Sequence, residues 1–198
     1  MITVLKKSFD APPINEREIL RYASCHKCDT ETEKLLGEIV DTYRDAFSYK
    51  VCYTVLPYRE KNGICDLEVF SVNSKNLAKN LLGCERVLLF GATVGTEIDR
   101  LIAKYTRISP ARALLLQAFG AERIEALCDI FCREFEIENS VKLLPRFSAG
   151  YGDCPIEAQK DIFSILDSRR MIGLTLNDSM LMYPTKSVTA FVGIKEKE

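Results

Sequence analysis

Leu174-Thr175-Leu176-Asn177-Asp178-Ser179-Met180-Leu181-Met182-Tyr183-Pro184-Thr185-Lys186-Ser187-Val188-Thr189-Ala190-Phe191-Val192-Gly193-Ile194 holds three β-rich runs: Leu174 to Leu176, Met180 to Tyr183 and Val188 to Ile194. Only Asn177-Asp178 and Pro184-Thr185-Lys186 separate them, and these are turn formers. Connections this short join antiparallel neighbours, because a parallel crossover needs about a dozen residues or more. Upstream, Val51 to Leu56 and Ile64 to Phe70 flank the turn signal Asn62-Gly63. In the second run Cys65, Leu67 and Val69 alternate with Asp66 and Glu68, the pattern of a strand with one wet face. The two runs are expected to pair antiparallel. Val87-Leu88-Leu89-Phe90 reads as a buried strand, and Val141 to Phe147 as another.

Helices fill the intervals without alternating strictly with the strands. Asn15 and Glu18 fit a capping box, with Ile14 and Ile19 placed as a hydrophobic staple, so a short helix is expected to about Ala23. Thr30 and Glu33 fit a second box ahead of Leu35, Leu36, Ile39, Val40 and Tyr43. Ser74 caps a helix that stops at Gly83, and a helix from Glu97 to Tyr105 carries Ile98, Leu101, Ile102 and Tyr105 on one face. Ser109-Pro110 starts a long helix reaching about Phe135, and Pro155 one reaching about Leu166. The fold class is α+β with a mainly antiparallel sheet, not a doubly wound parallel one.

Composition excludes several functions. Lys+Arg 27 against Asp+Glu 28 gives a formal net charge of -1 over 198 residues, which offers no long-range attraction to nucleic acid or to a membrane surface. Hydrophobic residues at 47% and charged residues at 28% are those of a globular protein with one sizeable core, so residues 1–198 are expected to form a single domain. No apolar run approaches the roughly 20 residues of a membrane span, and Met1 to Asp10 lacks the apolar stretch of a secretory signal, so a cytoplasmic protein is expected. The single His26 excludes any mechanism needing two imidazoles. In a reducing compartment the eight cysteines read first as buried hydrophobes or reactive thiols.

Four segments bear on chemistry. Cys25-His26-Lys27-Cys28 has the spacing of a metal or dithiol motif, with Cys25 and Cys28 as the ligands or redox pair. No second C-x-x-C completes a zinc site, and a plain inter-helix loop explains it more simply. Cys128 and Cys132 lie at i, i+4, but on the core stripe of Ile124, Leu127 and Phe131. Gly91 to Gly95 sits where a phosphate-cradling turn would, without the third glycine or the Gly-Lys pair such turns need. Pro145-Arg146-Phe147-Ser148-Ala149-Gly150-Tyr151-Gly152-Asp153-Cys154-Pro155 combines an Arg fork with glycines that let a backbone approach a ligand, as an anion or zwitterion site requires. A Gly-rich connection with a surface Arg and a packing Tyr accounts for the same residues equally well.

Arg146-x-x-x-Gly150-Tyr151, followed by Pro155 and a helix, resembles the S-adenosylmethionine-binding motif of the activation domain of cobalamin-dependent methionine synthase. Glu122-Arg123-Ile124-Glu125-Ala126-Leu127 is similar to that family's helix bearing an acidic ligand-side residue. Leu176 to Met180 through Pro184 to Val188 resembles its closing hairpin, and the N-terminal half with Arg21-Tyr22 is similar to short free-standing forms. The resemblance implies a bent antiparallel sheet flanked by helices. It implies that S-adenosylmethionine is presented to a corrin, so that one-electron reduction of cob(II)alamin is trapped by methylation. Arg146 would then grip the ligand carboxylate, and Ala149, Gly150 and Tyr151 would offer backbone contacts to the ligand.

In the same resemblance Ala149, Gly150 and Tyr151 face the ligand through their backbones, and Tyr151 approaches the corrin. Glu125 is implied as the acidic partner of the ligand's ammonium or hydroxyl groups, with Asp129 one turn later on the same face. The acidic contact that the long form supplies near its N-terminus has no secure match in this sequence, so that contact stays open. The long form is fused to homocysteine, folate and cobalamin modules that this sequence does not contain. Cobalamin would therefore be carried by a separate methionine synthase polypeptide, with a flavodoxin- or ferredoxin-type electron donor. The chain itself is expected to have no independent turnover. The competing expectation is a metal- or redox-binding protein using Cys25 and Cys28 on the same scaffold.

Overall fold

The computed structural model describes residues 2–25 and 29–197. The main sheet has the order β1 (Leu5–Phe9), β2 (Tyr49–Pro57), β6 (Arg86–Thr93), β10 (Ser187–Glu196), β7 (Val141–Leu143), and every neighbouring pair is antiparallel. Seven of the eight residues of β6 are buried, which requires cover on both faces of the sheet. Alternation along the strands supplies two sets of side chains. Leu88, Phe90 and Ala92 join Val51, Ala190 and Val192 in one core, while Val87 and Leu89 join Cys52, Leu56 and Phe191 in another.

Helices α1 (Glu16–Tyr22), α2 (Thr30–Tyr43), α4 (Glu97–Tyr105) and α5 (Pro110–Asn139) contribute to the first core, through Ile19, Ile39, Ile98 and Phe119 among others. Helices α3 (Lys75–Asn80), α6 (Ala158–Leu166) and α7 (Ser168–Ile172) contribute to the second, through Leu77, Ile162 and Ile172. The 30-residue α5 begins at Ser109, whose side chain accepts the Arg112 amide, has Pro110 in its first turn and ends at Ser140 in the left-handed conformation. No helix among the described residues is long and apolar enough to cross a membrane.

The antiparallel α+β reading holds, with differences in the pairing. β2 does not pair with the run after Asn62-Gly63; it lies between β1 and β6. The turn instead joins β3 (Arg59–Lys61) to β4 (Ile64–Asp66), which pairs with β5 (Ser71–Asn73) in a separate three-stranded sheet. The physical reason is that β2 is buried on both faces, whereas β4 buries only Cys65. β1, which extends the main sheet, has no counterpart among the expected strands. The second helix is capped by Asp29, which accepts the Thr32 amide, so Thr30 is its first residue and not its cap. The helix expected from Pro155 starts at Ala158, and the glycines of Gly91 to Gly95 belong to β6 and its exit rather than to a phosphate-binding turn. The closing hairpin pairs only β8 (Thr175–Leu176) with β9 (Met182–Tyr183).

Candidate functional site

Beyond β7 the chain leaves regular strand but remains on the edge of β10. The Leu144 amide donates to Gly193 O at 2.9 Å, and Phe147 and Phe191 exchange both backbone bonds, at 2.9 and 2.8 Å. Arg146 is held between these anchors, and its side chain reaches α5. One guanidinium nitrogen donates to Glu125 Oε2 at 2.7 Å, another to Asp129 Oδ1 at 2.6 Å. Spacing of i, i+4 puts both carboxylates on one helix face, so the fork spans them. Burial works against the charged guanidinium, but the Asp129 and Glu125 carboxylates beside it more than offset that cost. Its two acceptors are the wetter partners: the Glu125 side chain is 42% exposed and Asp129 71%, against 26% for Arg146.

These three residues line an open groove of about 1920 Å³. One wall is α5 with the strand segment 143–146; the other is the N-terminal segment from Pro12 through α1, including Glu16, Glu18, Arg21 and Tyr22. The N-terminal wall is fastened by Arg123, which has no exposed surface. Its guanidinium donates to Pro12 O at 2.5 Å, Pro13 O at 2.7 Å and both oxygens of Glu122, while Glu122 Oε1 accepts the Asn15 amide at 3.1 Å. A buried ion pair with its remaining donors satisfied by backbone carbonyls is a way to fix a segment that has no regular structure. Two adjacent residues of opposite charge on a helix gave no sign of this role in the sequence, since neighbours at i, i+1 do not share a face.

The glycine loop is rigid by construction. Gly150 and Gly152 have φ of +85° and +59°, and a Cβ at either would approach Ile156 Cδ1 to 2.8 Å or Asn76 Nδ2 to 2.4 Å. The Gly150 amide donates to Cys154 O at 3.0 Å and the Tyr151 amide to Ser148 O at 3.2 Å. Both N–H groups are thus engaged within the loop, and what it turns outward is the Tyr151 ring, 71% exposed and edge-on to Phe147 with centroids 5.5 Å apart. Ala149 is buried beneath it in the second core. Ala149, Gly150 and Tyr151 do not line the groove, whereas Arg146 and Ser148 do.

Asp153 completes the loop. Its carboxylate accepts the Ser74 hydroxyl at 2.5 Å and the Lys75 and Asn76 amides at 2.9 and 3.1 Å, which ties the loop to the start of α3. The hydrogen bond from Ser74 leads the interactions that lower its pKa below the usual carboxylate value. Asp after Gly is a common turn residue, so nothing in the sequence distinguished it.

Among the thiols, Cys128 is fully buried in the first core and Cys132 packs against it, as the core reading requires. Cys25 is disulfide-bonded and Cys28 lies outside the described residues. No group of three or more His, Cys, Asp or Glu residues placed to hold a metal ion occurs among the described residues.

A bent antiparallel sheet thus carries an arginine-led glycine loop against the acidic face of a long helix. Residues 144–198 match the family described as vitamin B12 dependent methionine synthase, activation domain. The whole chain superposes on a solved structure described as the crystal structure of the MetH reactivation domain bound to AdoHcy, with a TM-score of 0.72 at 13% identity, covering 100% of this chain and 80% of that chain. No curated protein matches the chain. The resemblance drawn from Arg146, Gly150, Tyr151 and Pro155 therefore rests on a family match over the segment that contains them, and the fold over the full length agrees with it.

Proposed function

We propose that this chain is a cytoplasmic accessory protein that binds S-adenosylmethionine as a single unit spanning residues 1–198. It supports reductive methylation of cob(II)alamin carried by a separate cobalamin-dependent methionine synthase, with a flavodoxin- or ferredoxin-type protein supplying the electron. The observation that carries this reading is the Arg146 fork, poised over Glu125 and Asp129 at the rim of a groove large enough for the ligand. Arg146 holds the ligand carboxylate in exchange for one of its two present acceptors, and the better-exposed Asp129 is the easier to release. The freed carboxylate then faces the ligand ammonium, so the charges re-pair and none is stranded. The sulfonium supplies the methyl group; the protein's part is to bind it, orient it and present it to the corrin of the partner. Tyr151, projecting from a loop that cannot easily bend, belongs to the face offered to that partner, with Ala149 and Gly150 beside it.

Calorimetric titration of the full chain with S-adenosylmethionine tests the reading. Binding by the wild type and its weakening in Arg146→Ala by about 1.5 to 3 kcal/mol, the range for a charge-assisted contact, are expected. No binding by the wild type, or equal binding by both, overturns it.

A further inference from the structure

Helix α1 is seven residues long and buries Ile19, too little for so short a helix to hold its shape by itself. The groove wall it forms is therefore only as firm as the attachments at its two ends. The Arg123 clamp fixes the end before Glu16. At the other end the chain leaves the helix through Ala23, Ser24 and Cys25. The Ser24 amide donates to Arg21 O at 3.0 Å and the Cys25 amide to Leu20 O at 2.9 Å, the paired bonds of a cap that turns through a left-handed residue. That residue is Ser24, at φ +57°. Glycine takes this conformation freely, whereas the Cβ of serine is crowded in it. The cap is thus strained, and the residue that follows the strain, Cys25, is disulfide-bonded. The six other described cysteines are free, and five of them are buried. Cys25 is partly exposed and opens the Cys25-x-x-Cys28 motif, whose second member lies outside the described residues.

We infer that the Cys25 disulfide is a redox latch on the α1 wall of the groove. Oxidised, it holds the Ser24 turn closed and the wall preformed for the ligand; reduced, it lets the last turn of α1 fray, so that only a fraction of molecules present a complete groove. This rests on the S-adenosylmethionine reading and adds its regulation. Reduction takes two electrons and two protons from a dithiol: the S–S bond breaks, two S–H bonds form, and the dithiol closes to a disulfide. Oxidation is the reverse exchange with a small-molecule disulfide, which leaves as two thiols. A disulfide in a reducing compartment is commonly of this responsive kind. The groove is then firmest under oxidising conditions, when cobalamin on the partner stands as cob(II)alamin and needs reduction.

The full-length wild type, Cys25→Ser and Ser24→Gly, each equilibrated with glutathione disulfide or with dithiothreitol, test the latch by three readouts. Alkylation in denaturant is expected to count six thiols in the oxidised wild type and all eight in the reduced one. Hydrogen exchange at the Ala23, Ser24 and Cys25 amides is expected to quicken on reduction while the sheet is unchanged. Reduction is expected to weaken S-adenosylmethionine by about threefold or more, as it does when the competent fraction falls to about a third. Cys25→Ser is expected to bind as the reduced wild type does in both conditions. Ser24→Gly, which relieves the strained turn, is expected to keep more of its affinity after reduction. Eight thiols in the oxidised wild type, or equal exchange and equal affinity in the two states, overturns the latch and leaves the functional reading intact. An exchange difference in a wild type that binds no S-adenosylmethionine in either state keeps the latch and removes the functional reading.

Discussion

Arg146 and Glu125, 21 positions apart in sequence, meet at 2.7 Å because the β10 edge and the α5 face converge at the mouth of the groove. The contact is half wet, so its contribution to stability is small even though its geometry is good. Exposed ion pairs are worth about 0 to 1 kcal/mol, and the exposure of Glu125 and Asp129 places this one in that class. Arg146→Ala is therefore expected to fold normally, with a melting temperature within a few degrees of the wild type. A thermal scan showing a large drop would contradict this and would make any loss of binding uninterpretable.

Arg123 behaves in the opposite way. Replacing Glu122 by Gln leaves a guanidinium without exposed surface facing only carbonyls and an amide, and breaking a buried pair costs about 3 to 5 kcal/mol. Glu122→Gln is expected to lower stability by that order in urea denaturation. Hydrogen exchange at the Asn15 amide, which Glu122 accepts, is expected to quicken ahead of the sheet.

Asp153 confers an acid sensitivity. Its carboxyl titrates lower in the folded protein than in the unfolded chain, so its contribution is present above about pH 4, the unfolded value, and is lost as pH falls through the lower folded value. Between pH 6 and pH 3 the wild type is expected to lose stability more steeply than Asp153→Asn. Parallel pH profiles for the two proteins would sink the assignment.

The free thiols predict an alkaline effect of the other sign. Burial pushes Cys52 and Cys154 up to about 11, and raises Cys65, Cys84 and Cys128 as well. Unfolded thiols ionise near pH 8.5, so this part of the stability is intact below that pH and declines as pH rises toward the folded values. An aromatic disulfide reagent at pH 8 is expected to modify these five only as fast as the protein unfolds. Prompt reaction in the native state would show that their burial is incomplete.

The sequence disclosed the elements whose signals are local. Ser74 and Ser109 mark their helices by capping chemistry, and the run from Val188 to Ile194 reads as a strand because its β-rich pattern is continuous. What escaped was set by distant partners. Leu5–Phe9 becomes a strand only because β2 has an open edge beside it, and Ile64–Asp66 leaves the main sheet because that edge and the other are already taken. The site divides in the same way. Arg146, Glu125 and Asp129 stood out by residue type and motif, and the structure brings them together. The Arg123 clamp and the Tyr22 ring depend on a contact between α5 and a segment more than 100 residues earlier, for which spacing carries no signal.

The clamp at Arg123 also separates inheritance from selectivity. The segment that matches the activation-domain family, residues 144–198, supplies Arg146 and its neighbours to a wall otherwise built by α5, together with the glycine loop; the facing wall comes from residues 12–22. A chain organised like this can keep the matched segment unchanged while the N-terminal wall is rewritten, provided the arginine still closes on two carbonyls.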